Sequence, residues 1–150
     1  MKIVYAHEKP NSVPSQSIFL AGPSPRDEDH YDWRPTALEI LENMGFRGNV
    51  FVPLPRDGQW APNYDSQVEW ELTYLEVASV IVFWIPRDLD TLPAFTTNVE
   101  FGMYVKSGKI ILGFPKDAPK MRYLAYVGKK NSIPIFHSLE KTLRGAVEHA

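Results

Sequence analysis

Val80-Ile-Val-Phe-Trp-Ile85 is the most apolar run in the chain, and its reading decides the fold. It has no polar alternation, so neither of its faces suits water. Such a strand fits the interior of a parallel sheet covered by helices on both sides. Four more short apolar runs flank it: Ile18–Ala21, Val50–Leu54, Ile110–Phe114 and Ile133–Phe136. Pro134 in the last of these marks an edge strand, because proline cannot donate to a ladder. Between the runs the period changes to that of a helix. Trp33, Ala37, Leu41 and Met44 share one face, with Asp32 as N-cap and Pro35 tolerated in the first turn. Ser66-Gln-Val-Glu69 reads as a capping box opening a helix through Ala78. Thr97-Asn-Val-Glu100 reads as a second box, opening a helix that stops near Ser107-Gly108. Lys120–Lys130 reads as a shorter helix and Leu139–His149 as a closing amphipathic one. The pattern predicts an α/β fold: a five-stranded, doubly wound parallel sheet in flavodoxin-like order, with helices on both faces. Residues 1–150 form a single domain in this reading, with 1–16 as an N-terminal extension.

Composition narrows the classes of function. The chain has 150 residues, 44 % hydrophobic and 23 % charged, in the range of an ordinary globular domain. Sixteen Lys and Arg against eighteen Asp and Glu give a net charge of -2. That balance holds no polybasic footprint, so neither a nucleic-acid polymer nor a membrane surface is an expected partner. The chain has no cysteine, which fits a reducing cytoplasm. Its opening, MKIVYAHEKP, is too polar and too short for a signal peptide, and no apolar run has the length of a membrane span. His7, His30, His137 and His149 are scattered without ligand spacing, so no metal is expected. There is no GxGxxG, no GxxxxGK[ST] and no GxSxG, which excludes a dinucleotide fingerprint, a P-loop and a serine elbow; no cofactor is expected.

Loop length points to a site. Helix-to-strand connections are short, whereas the strand-to-helix segments 22–31, 55–65, 86–96 and 115–119 are long and hold most of the prolines. In a parallel sheet all of these lie at the carboxyl ends of the strands, the edge where such folds take ligands. Gly22-Pro23-Ser24 and Arg26 follow the first strand: glycine admits a close ligand, and Ser24 and Arg26 suit a phosphate or sugar hydroxyl. A rigid proline turn with a surface arginine reads the same way. Trp60, Tyr64 and Trp70 suit stacking on a planar base, or a lid packed on itself. Glu100 has two readings. As the fourth residue of its capping box it ties up a backbone N–H. As an ionised carboxylate at a helix start it can attack an anomeric carbon. Glu69 reads as the partner of its own box. Glu71 is either a solvated acid or a second carboxylate able to handle a leaving group's proton.

Three segments together carry a family resemblance. Ile18-Phe-Leu-Ala-Gly-Pro-Ser-Pro-Arg26, Glu71-Leu before the apolar strand, and Thr96-Thr-Asn-Val-Glu-Phe-Gly102 resemble the nucleoside 2-deoxyribosyltransferase-like family. Lys116–Leu124 is similar to the family's segment after the fourth strand, and the likeness runs from about Ser17 to Leu139. It implies a flavodoxin-like fold and cleavage of the bond between a 2-deoxyribose and a base through a covalent deoxyribosyl-glutamate, the sugar passing to another base. It implies Glu100 as nucleophile, from the Glu of the E-x-G ending, and Glu71 in the place of the family's base-contacting Asp. The Asp or Ser that many members carry six residues before the nucleophile is Ala94 here, so Asp88, Asp90, Thr97 and Asn98 are the neighbours that can replace it. The first loop is equally similar to that of relatives that hydrolyse deoxynucleoside 5′-monophosphates. A binding module that kept the fold without turnover is the third reading. The expected partners are a deoxynucleoside or deoxynucleotide, a free base, and a second copy of the chain. Helices 66–78 and 97–107 are apolar around more than one face, which predicts a homo-oligomer.

Overall fold

The structure is a computed structural model that describes residues 1–12, 15–25, 31–60 and 62–150. Six strands form one sheet: β1 (Lys2–Tyr5), β2 (Ser17–Ala21), β3 (Asn49–Val52), β4 (Val80–Trp84), β5 (Ile110–Gly113) and β6 (Ile135–Phe136). Their order is β1-β3-β2-β4-β5-β6, and every pairing is parallel. From β3 to β6 this is the expected flavodoxin-like order. The sheet has six strands rather than five, because the N-terminal extension adds β1 beside β3. In Lys2-Ile-Val-Tyr5 Val4 is buried in one core, Ile3 and Tyr5 are half-buried against the other and Lys2 is exposed, the partial cover of an edge strand. β6 closes the opposite edge, and Pro134 sits just before it, where its missing N–H is harmless.

Five helices cover the sheet: α1 (Arg34–Asn43), α2 (Tyr64–Val77), α3 (Phe95–Tyr104), α4 (Arg122–Lys130) and α5 (Leu139–His149). Strand side chains alternate between two cores. Phe19, Phe51, Ile81 and Phe83 pack with Trp70, Tyr74 and Leu75 of α2, Phe101 of α3 and Leu124 of α4. Ile18, Leu20, Val50, Val82 and Ile111 pack on the other face with Trp33, Ala37 and Leu41 of α1 and Leu143 and Ala146 of α5. The continuous apolar runs are explained: each residue serves one core or the other. β2 lies between β3 and β4, so the chain winds one way from β2 to β3 and the other way from β3 across to β4. The carboxyl ends of β2 and β4 therefore diverge toward opposite faces, which opens a crevice at the switch point.

Candidate active site

One wall of the crevice is built by the end of β2. Gly22 turns the chain at φ +152°; a Cβ there would stand 2.2 Å from the Trp84 carbonyl oxygen and 2.9 Å from the Trp33 ring, so only glycine fits. The turn is clamped from the start of α1. Arg34 is fully buried, and its guanidinium donates to the carbonyls of Leu20 at 3.3 Å, Pro23 at 3.3 Å and Gly22 at 2.7 Å. Trp33 Nε1 donates to the Pro23 carbonyl at 3.2 Å. Trp33, not the expected Asp32, is the N-cap of α1; Asp32 stands one residue earlier, accepts from the Arg34 backbone N–H at 3.2 Å and pairs with the guanidinium at 3.3 Å. Burial lowers the Arg34 pKa, and Asp32, Glu100 and Glu71 each oppose that shift. An arginine in a protein keeps its charge all the same.

Both expected capping boxes are displaced by three residues. α2 begins at Tyr64 with Asn63 as its cap, the Asn63 side chain accepting from the Asp65 N–H at 2.9 Å. Ser66 lies inside the helix and donates to the Asn63 carbonyl at 2.7 Å. α3 begins at Phe95 after Ala94, which holds φ +61° and ψ +41° and offers no side-chain cap. A left-handed non-glycine residue is uncommon and stores strain at the crevice. Glu69 and Glu100 thus stand at the sixth helical position, beyond reach of the cap backbone. The capping explanation of Glu100 falls away.

Three loops and two helices enclose a cleft of about 530 Å³. Gly22, Pro23 and Ser24 line it from β2; Trp60, Tyr64, Gln67 and Glu71 from the α2 side; Leu92 through Thr97 and Glu100 from the α3 side. The structure brings together Glu100, Glu71, Gly22, Pro23, Ser24, Trp60 and Tyr64 as the sequence anticipated. Asn98 and Asp88 stand apart from that lining. The Asn98 side chain turns to the buried Arg87, accepting from its Nη2. Asp88 Oδ1 accepts from the N–H groups of Asp90 and Thr91 and from the Thr91 hydroxyl, closing its own turn. Thr97 is buried and lines the cleft. Trp70 is a core residue, not a lid: it packs on Phe19 and Tyr74 and donates to the Glu8 carbonyl at 2.9 Å. Arg26 lies outside the described residues. Arg34 and Gln67 were missed, because a charged residue at a helix start and a glutamine inside one both read as solvated positions.

The two carboxyls share a setting but not an environment. Burial pushes the Glu100 pKa from the ordinary 4.5 to about 8; the negative charge of Glu71 adds to the rise and Arg34 opposes it. The expected helix-start ionisation is overridden, since Glu100 sits more than a turn inside α3. Burial raises Glu71 as well, against the hydrogen bond from Gln67 and the charge of Arg34. Near neutral pH Glu100 therefore holds its proton. Among the described residues no cluster of three His, Cys, Asp or Glu side chains could hold a metal.

The fold and site define a class: an α/β domain of flavodoxin-like order with two acidic side chains, Glu71 and Glu100, in the cleft at its switch point. The family described as nucleoside 2-deoxyribosyltransferase like matches residues 15–118, and the chain belongs to that family. The match spans β2 through β5 and so contains every element of the cleft. No curated protein matches the chain.

Proposed function

We propose that the protein is a nucleoside 2-deoxyribosyltransferase. The observation that carries this reading is the pair of half-buried carboxyls lining the cleft of a chain from this family, with the Glu100 pKa pushed up to about 8. Glu100 attacks C1′ of the deoxyribose as a carboxylate. The C1′–N bond breaks, its electron pair stays on the base nitrogen, and Glu71 delivers the pair's proton there, so the base leaves neutral. Before substrate binds the proton rests on Glu100. Positive charge developing on the sugar favours ionised Glu100 and moves the proton to Glu71. A second base then attacks C1′, gives its N–H proton to Glu71 and frees Glu100. Trp60 and Tyr64 stack on the base, Ser24 and Thr97 face the sugar, and Arg26 binds the 5′-phosphate of a nucleotide substrate. The reaction needs no cofactor and belongs to cytoplasmic nucleotide salvage, and the working form is a homo-oligomer.

Incubation with a panel of deoxynucleosides, with and without an acceptor base, tests this. Exchange of bases is the expected product pattern. Free base without exchange would make the protein a hydrolase, and the same panel as 5′-monophosphates would then show its substrate. Binding without any product would leave a nucleotide-binding module.

A further inference from the structure

The chain-wide charge of -2 averages two opposite regions. Residues 116–130 hold five cations against Asp117, a net +4, which leaves -6 on the other 135 residues. The basic stretch folds into α4 and the turn before it. Leu124 and Gly128 are buried on its inner side, against the sheet. The outer side forms a shallow depression of about 700 Å³ lined by Lys120, Arg122, Tyr123, Ala125, Tyr126 and Lys129. Tyr123 and Tyr126 are 77 % and 69 % exposed, more than any other tyrosine among the described residues except Tyr64. Burying neither ring in the core leaves their apolar faces to something outside the chain. They stand three residues apart, hence on one helix face about 5–6 Å from each other at Cβ. Among the described residues no carboxylate lies within ion-pair distance of Lys120, Arg122 or Lys129.

The geometry points to a docking face for single-stranded nucleic acid along α4. Unpaired cations around stackable rings are what a phosphate chain with splayed bases requires: charge for the backbone, ring faces for the bases. An acidic peptide would use the cations and leave both tyrosines idle. α4 is about 13 Å long at 1.5 Å per residue, enough for two or three nucleotides. The face lies outside the cleft and shares none of its lining residues.

Fluorescence anisotropy of a labelled oligothymidylate, about twelve nucleotides long, titrated with the full chain tests this. Binding should weaken with salt at a log–log slope of about 2, for three cations at roughly 0.7 each on a single strand. Tyr123→Ala with Tyr126→Ala should weaken it by about tenfold or more with the slope kept. Arg122→Ala with Lys129→Ala should reduce the slope to about 0.7. Trp60→Ala in the cleft should change nothing, and melting temperatures of the α4 variants should match the parent. No binding at low salt, or binding indifferent to the tyrosines, overturns the proposal. So does equal displacement by polyglutamate, which would mark an acidic protein partner, or thymidine monophosphate binding at this face as tightly as the oligomer. Concentration-dependent self-association abolished by the tyrosine substitutions would overturn it too, assigning the face to a second copy.

Discussion

Gln67 Nε2 donates to Glu71 Oε1 at 2.7 Å, one turn along α2, and that bond makes the two cleft carboxyls unlike. Gln67 is held for the task, since the same nitrogen also donates to the Pro53 carbonyl at 3.2 Å. The bond favours ionised Glu71 and opposes the effect of burial, whereas Glu100 is helped only by the charge of Arg34. A pair with one proton is active between its two titrations. Gln67→Met should therefore raise the lower of these and move the acidic limb of the pH–rate profile upward, leaving the alkaline limb near its original place. An unmoved acidic limb would detach Gln67 from the pair.

Glu100→Gln separates chemistry from folding. The amide cannot serve as a nucleophile, and a rate loss on the order of 10³-fold, about 4 kcal/mol of barrier, is expected. Stability should move the other way. The Glu100 pKa is about 8 in the folded chain against an ordinary 4.5. Between those values the native state holds a proton that the unfolded state has released. The associated stability is thus complete below 4.5 and lost as pH rises through 8. The variant lacks this loss, so its melting temperature should fall less from pH 5 to pH 8.5. At pH 8.5 it should exceed the parent by several degrees, on the order of 2–4 kcal/mol. Scanning calorimetry across that range checks it; parallel curves for the two proteins would place the proton elsewhere.

These two carboxyls show how far the sequence could be read. The apolar runs located the strands because each of their residues enters one of two cores, and long strand-to-helix loops located the cleft because a parallel sheet gathers them at one edge. The helix starts were not legible. Ser66-Gln-Val-Glu69 and Thr97-Asn-Val-Glu100 both have the letters of a capping box, yet Asn63 and a left-handed Ala94 open the helices three residues sooner. Nothing in the letters around Ala94 signals a positive φ. That displacement changed Glu100 from a helix-start anion to a half-buried acid. Lys2–Tyr5 was not legible as a strand because Ile3-Val-Tyr-Ala6 is set in a polar opening, between Lys2 and His7-Glu-Lys9, and its outer neighbours are only half-buried.

Arg34 has two tasks that different substitutions should separate. Its guanidinium satisfies three carbonyls of the β2 end and loop, and its charge lowers both cleft carboxyls. Arg34→Lys keeps a charge but cannot fork across three acceptors. It should lower stability by about 3 kcal/mol, close to 10 °C for a chain of this size, while the alkaline limb of activity stays near pH 8. Arg34→Met removes the charge as well, and the alkaline limb should then move to higher pH. Thermal unfolding and a pH–rate series read the two effects independently. Identical limbs in both variants would reduce Arg34 to a structural clamp.

The surplus apolar surface that predicted an oligomer is smaller than the sequence suggested, and it is on one helix. On α2, Trp70, Tyr74 and Leu75 enter the protein's own core, leaving Val77 outside. On α3, Phe101 is buried, but Phe95, Val99 and Met103 are 72 %, 62 % and 57 % exposed. Spaced four residues apart, they make one stripe along the helix that carries Glu100. Phe95 also lines the cleft, so the stripe begins at its mouth. A second copy packed there by a two-fold axis would cover both stripes and narrow both clefts, which suits a transfer reaction that must exclude water from its ester. Val99→Glu with Met103→Glu, placing two like charges in that contact, should convert a dimer to monomers in light scattering at micromolar concentration. The monomer should keep its fold, because both positions face outward. If the intermediate then meets more water, free base should rise relative to exchanged base in the product assay. A parent protein that is already monomeric at that concentration would leave the stripe without the partner assigned to it.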